Sequence, residues 1–254
     1  MKDLEKAYKN AEKKGIVPKI LVLINPGNPT GQVMSKEKIR ELVEFAFSRK
    51  LLIIADEVYQ SLVYDENSEF HSVKKVMVEM GEPYCNMELA SVHSASKGYF
   101  NESGLRAGYV EFFNFEPPVL QTLFTVMSLR FVTTSLGQVA LDCLLNPPKP
   151  GDESYETWNN EKQTIIKYLR EKSLIFHENI NSIPGLECNP IQSSMYYFTK
   201  IDMPSKAIEE SKKLGMDPDF MYTTQLLQKT GVADDNTTRK ECGQNSVRKN
   251  TKVS

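Results

Sequence analysis

Ile20-Leu21-Val22-Leu23-Ile24 and Leu51-Leu52-Ile53-Ile54-Ala55 are two short runs without a polar side chain, separated by a segment of helical spacing. Runs of this length suit strands buried on both faces of a parallel sheet. Between them Ser35 is placed to cap a helix in which Ile39, Leu42, Val43, Ala46 and Phe47 form one apolar stripe, reaching about Lys50. Strand, helix and strand joined by a short reversal make a βαβ unit, right-handed by strong default. The fold class is therefore α/β.

Working outward, Leu4, Ala7, Tyr8 and Ala11 predict a surface helix over Lys2 to Lys14, stopped at Gly15. Downstream, the pattern predicts a short helix over Val73 to Met80, strands at Leu89 to Val92 and Gly108 to Phe113, and helices from Pro117 to about Phe131 and from Leu136 to Leu145. The break Asn146-Pro147-Pro148-Lys149-Pro150-Gly151 marks a domain boundary, so residues 1–150 form a large domain and 151–232 a smaller α+β domain. In the latter, helices are expected over Tyr155 to Ile183, Pro204 to Lys213 and Phe220 to Lys229, with a strand over Met195 to Ile201. Residues 233–254 have almost no apolar side chain and are expected to be disordered.

A net charge of −2, with both signs interspersed, offers no electrostatic argument for a nucleic acid or an anionic membrane as partner. No apolar run approaches bilayer length, and Met1 to Lys14 does not read as a secretory leader, so a cytoplasmic or mitochondrial-matrix location is expected. Cys85, Cys143, Cys188 and Cys242 lie far apart, as do His71, His93 and His177. Neither set has metal-ligand spacing, so no metal is expected and the thiols are expected to be buried and reduced.

The chemistry concentrates at strand ends. Ser94-Ala95-Ser96-Lys97-Gly98 puts an amine just past a strand, where ligands of open α/β sheets sit. A lysine alone is usually a solvated charge, but this one has company. Asn25-Pro26-Gly27-Asn28-Pro29-Thr30-Gly31 closes the first strand, Asp56-Glu57-Val58-Tyr59 closes the second, and Arg106 precedes the fourth. An amine that forms a Schiff base, a carboxylate for a ring nitrogen, donors for a ring oxygen and a cation for a phosphate are together what pyridoxal phosphate chemistry needs. Taken singly, Asn28 also reads as a turn residue, Tyr59 as a core phenol and Ser94 as a backbone cap.

With the order of Asn25 to Gly31, Ala55 to Tyr59, Ser94 to Lys97 and Gly104-Leu105-Arg106-Ala107-Gly108, the sequence resembles class I/II aminotransferases of the fold-type I pyridoxal phosphate superfamily, from about Ile20 to Val232. Phe70-His71-Ser72-Val73-Lys74-Lys75, Ser96-Lys97-Gly98-Tyr99 and Cys188-Asn189-Pro190 bring it nearest the alanine aminotransferase subgroup. The resemblance implies transamination between L-alanine and 2-oxoglutarate. It assigns Lys97 to the Schiff base and to proton movement, Asp56 to the pyridine nitrogen, Asn28 and Tyr59 to the ring oxygen, and Ser94 and Arg106 to the phosphate. The partners implied are an amino acid, a 2-oxo acid and a second copy of the chain.

The family also carries a segment ahead of the Asn28 region and a Phe-Arg motif beyond Val232. Against that pattern the chain is expected to be truncated at both ends, with an incomplete large domain. Arg239 and Arg248 lie in the polar tail without the apolar setting of a seated carboxylate ligand, so the role of that arginine is not carried over to them. The alternative function is a non-catalytic subunit that binds cofactor weakly or pairs with a full-length partner. Aromatic aminotransferase and amine-forming synthase readings stay open.

Overall fold

A computed structural model describes residues 1–129 and 134–232. The disorder expected over 233–254, which holds Arg239 and Arg248, and the expected helix end at Phe131 lie outside the described residues.

The βαβ unit is present as β1 (Ile20–Ile24), α2 (Lys36–Ser48) and β2 (Leu52–Asp56), preceded by α1 (Lys2–Lys13). Ser35 caps α2, its hydroxyl accepting from Lys38 N at 3.2 Å. There follow α3 (Val73–Met80), β3 (Leu89–Ser94), β4 (Gly108–Phe113), α4 (Pro117–Ser128), α5 (Ser135–Leu145) and α6 (Tyr155–Asn181). The sheet order is β1-β2-β3-β4, parallel between the first three strands and antiparallel between β3 and β4.

Register explains the core. Leu21 pairs with Ile53 and Ile53 with Leu89, while Leu23 pairs with Ala55, so these side chains share one face of the sheet. That face packs against Ile39, Leu42, Val43 and Ala46 of α2 and Val73, Val76 and Met77 of α3. Full burial of such side chains contributes roughly 1.5–3 kcal/mol each.

The opposite face departs from expectation. Ile20 is 51% and Val22 57% exposed, although the run was expected to be buried on both sides. An unbroken apolar run shows that both faces are fit for burial, but coverage requires a packed layer. Among the described residues, the principal apolar cluster lies on the α2 and α3 side alone.

A second cluster forms where Ile166, Leu169, Phe176 and Ile180 of α6 pack on Tyr64, Cys188 and Ile191. The chain falls into two compact units, Met1–Ile183 with Cys188–Thr199, and Pro184–Glu187 with 200 onward. The second unit holds most of a two-stranded ribbon, β5 (Leu186–Cys188) with β6 (Thr199–Ile201), and the helices α7 (Ser205–Lys213) and α8 (Pro218–Thr230).

Two further expectations are corrected. The strand expected over Met195 to Ile201 begins only at Thr199, following a turn at Ser194, where φ is 66°. Cys143, expected to be buried, is exposed on α5, whereas Cys188 is buried. No described helix is long and apolar enough to cross a membrane.

Candidate active site

Three parallel strands deliver their carboxyl ends to one edge of the sheet, and the antiparallel β4 starts there. Ile24 pairs with Asp56 and Asp56 with Val92, so the loops after β1, β2 and β3 open side by side. They enclose a cleft of about 380 Å³ lined by Asn28, Asp56, Tyr59, Ser94, Lys97 and Arg106, the six residues singled out in the sequence. Ile24, Val58, Ser96 and Ser103 complete its walls. The volume falls within the range of small-molecule sites.

A larger hollow of about 610 Å³ lies near the end of α2 and is lined by Glu5, Tyr8 and Arg49 among others. Its guanidinium is already bound to Glu5 at 2.6 Å and lies over the Phe45 ring. The hollow's other lining side chains, Lys9, Glu12, Ser48 and Lys50, include none of the motif residues at the strand ends.

Asp56 sits on the face of β2 away from the core, and its Oδ1 accepts from Val58 N at 3.3 Å. Lys97 and Ser94 are half-buried, whereas Asn28 and Arg106 lie at the open rim. Arg106 takes the left-handed conformation, φ 52°, and its guanidinium donates to Ser103 O at 2.9 Å. Just after it, Gly108 is obligatory, since a Cβ there would stand 2.8 Å from His93 O.

Ser94 carries the backbone role considered for it. Its hydroxyl donates to Ala107 O at 3.3 Å and accepts from Ser96 N at 3.1 Å. A serine has one hydrogen to give, so donation to a phosphate requires that bond to rotate away. Ser103, adjacent to the glycine and arginine of its motif, is an additional cleft hydroxyl that sequence reasoning passed over.

Tyr59 is 1% exposed and its phenol donates to Tyr196 Oη at 3.0 Å. Burial pushes this phenol well above its ordinary value, with the Tyr196 bond and the Asp56 charge adding to the effect and the Asn28 amide opposing it. Tyr196 was not singled out in the sequence. Long loops carry no periodicity, and only the fold brings residue 196 to residues 59 and 97.

Beside Asp56, Glu57 turns inward, 6% exposed, and its Oε1 accepts from Val73 N at 2.7 Å. Burial pushes this carboxyl up, opposed by its bonds to Val73 N and Ser72. A folded-state value above the unfolded one means that the native protein binds the extra proton. The resulting stability is full below the unfolded value and is lost as pH rises through the folded one. Glu57→Gln keeps the acceptor and never ionises. Its stability relative to wild type should therefore be higher at about pH 7 than at about pH 4, the two sides of the carboxylate range. Urea midpoints of both proteins at both pH values check this, and an equal gap would show the carboxyl to be unshifted.

Among the described residues no group of three or more His, Cys, Asp or Glu side chains is placed to hold a metal. The donor set instead comprises one amine, one carboxylate, one guanidinium, hydroxyls and an amide around a single cleft. It fits an anionic, aldehyde-bearing aromatic ring.

The comparisons with known proteins bear on this site. The family model for aminotransferase class I and II matches residues 1–249. The sequence is 46% identical over 231 residues to alanine aminotransferase 2 of Xenopus laevis, covering 91% of this chain and 43% of that protein. It is 44% identical over 216 residues to human alanine aminotransferase 1, covering 85% of this chain and 44% of that protein. The chain thus spans less than half the length of these curated relatives. Among solved structures, an aminotransferase from Escherichia coli superposes with a TM-score of 0.64 at 26% identity, over 88% of this chain and 50% of that one.

Proposed function

This chain belongs to the class I and II aminotransferases, and from that premise we propose that it carries alanine aminotransferase chemistry, moving an amino group between L-alanine and 2-oxoglutarate with pyridoxal 5'-phosphate as cofactor. The observation that carries the proposal is the meeting of Lys97, Asp56 and Arg106 in one cleft at the strand ends. The names of the relatives supply the alanine, and 2-oxoglutarate follows from the resemblance to that subgroup.

When bound, pyridoxal phosphate supplies an aldehyde that condenses with amines and a pyridinium ring that accepts the electron pair freed at the substrate α-carbon. In the proposed arrangement Asp56 is the carboxylate partner that holds the proton on the ring nitrogen. An opposite charge at close range favours both ionised forms. Arg106 presents the planar, permanently charged fork that suits a phosphate, and Ser94 adds a hydroxyl once its bond to Ala107 O is released. Asn28 and Tyr59 would donate to the ring oxygen, Tyr59 by turning its hydrogen from Tyr196. Lys97 Nζ would hold the cofactor at rest and would afterwards take and return the α-carbon proton.

The proposal extends to residues 1–150 and 151–232 as parts of a large and a small domain, to a cytoplasmic location, and to a homodimer. The resemblance to the family supplies the dimer. The test is direct. Purified full chain supplied with pyridoxal 5'-phosphate, L-alanine and 2-oxoglutarate should form pyruvate and glutamate in equal amounts. Pyruvate no faster than with cofactor alone would sink the proposal.

A further inference from the structure

The segment 191–196 is tied along most of its length to the loops that follow β1 and β2. Gln192 N and Ser193 Oγ both donate to Gly31 O, at 3.1 and 2.9 Å, and Gln192 Oε1 accepts from Val33 N at 2.9 Å. Ser194 N donates to Leu62 O at 3.1 Å. Ser193 and Ser194 are fully buried, so these bonds are shielded from competing water. The approach to the Asn28 loop is so close that a Cβ on Gly31, where φ is +66°, would stand 2.8 Å from Ile191 Cγ2 and 3.0 Å from Ser193 O.

What this segment delivers is Tyr196. Its Oη accepts from Tyr59 Oη at 3.0 Å and from Lys97 Nζ at 3.4 Å. Its ring meets the Tyr59 ring edge-on, with centroids 5.7 Å apart and planes at 87°. Its backbone N bonds to Ser194 Oγ at 3.4 Å. The ring and backbone contacts limit where the phenol oxygen can go, whereas the lysine amine rides on a stem with several free torsions.

We propose that Tyr196 is a positioning residue for Lys97, its phenol oxygen drawing the ε-amino group to one side of the cleft. Only the purpose of this hold, delivery of the amine to a cofactor and to a substrate proton, rests on the function proposed above. At 3.4 Å the contact is long for a charge-assisted hydrogen bond. It acts as a restraint on a mobile amine, and its loss should change the exposure of that amine modestly.

The test labels lysines of the full chain, without cofactor, using limiting acetic anhydride, with peptide mass spectrometry to read Lys97 against Lys36, Lys162 and Lys200. Tyr196→Phe removes one oxygen and keeps the ring. Tyr196→Gln keeps an acceptor that Tyr196→Leu, of similar size, lacks. Labelling of Lys97 should rise about twofold to fivefold in the Phe variant over wild type, and in the Leu variant over Gln, the range of one modest hydrogen bond. The reference lysines should be unchanged. Equal or slower labelling in the Phe variant overturns the inference, as does a rise confined to Leu, which would trace to the ring. If the Phe variant does not fold, equal labelling of Leu and Gln overturns it instead. Failure of the proposed function shows separately, as wild-type Lys97 on which borohydride fixes no added cofactor.

Discussion

Lys97→Ala should lower pyruvate formation from L-alanine and 2-oxoglutarate by at least about a thousandfold, to the level of free cofactor. One side chain serves two purposes in the proposed function. It anchors the cofactor covalently, and its amine moves the proton at the α-carbon. A positioned acid or base contributes roughly 10² to 10⁴ in rate, and loss of the covalent anchor adds to that. The fold should hardly notice. Lys97 is half-buried, and the only hydrogen bond described for its amine is the 3.4 Å contact to Tyr196. Its neighbour Ala95, fully buried, is untouched by the change. A thermal midpoint within a few degrees of wild type, together with lost turnover, is the expected pair of results. Turnover within tenfold of wild type would remove Lys97 from the chemistry.

The legibility of the fold in the sequence differs from element to element. The βαβ unit was legible because the stripe at Ile39, Leu42, Val43 and Ala46 has period 3.6 while its flanking runs are short and continuous. The six cleft residues were legible because each lies within a few positions of a strand end, and a parallel sheet collects such ends. Burial was less so: apolar content at Ile20 and Val22 describes what a side chain tolerates, and the fold decides whether anything covers it. Tyr196 was invisible for a different reason. Its place depends on Gln192, Ser193 and Ser194 bonding to Gly31, Val33 and Leu62, partners far away in the chain. A motif search weighs neighbours in sequence and has no access to such closures. Ser94 shows the converse, since its motif is plain while the hydroxyl is engaged with Ala107 O.

Asp56→Asn should cost about tenfold to a thousandfold in kcat and in kcat/KM alike, with KM for L-alanine little changed. The reasoning begins with charge. An anion within a few ångströms of a titrating nitrogen shifts its pKa by roughly 1 to 3 units, and each unit is worth about 1.4 kcal/mol, or tenfold. Asparagine has nearly the same shape and retains an acceptor for Val58 N, so the local turn is preserved. What disappears is the preference for a protonated ring nitrogen, which matters most when the electron pair from the α-carbon enters the ring. An interaction needed mainly in the transition state shows as equal losses in kcat and kcat/KM. A purely structural aspartate would behave otherwise, lowering stability with Asn and leaving the turnover of the folded fraction intact. Asp56→Glu provides the complementary check. It keeps the charge but lengthens the arm, so it should retain more activity than Asn if charge is the agent and less if the fit of the turn is. Asn turning over within about twofold of wild type would take the ring nitrogen away from Asp56 and leave the cleft without a carboxylate partner for it, since the adjacent Glu57 is buried against Val73 N.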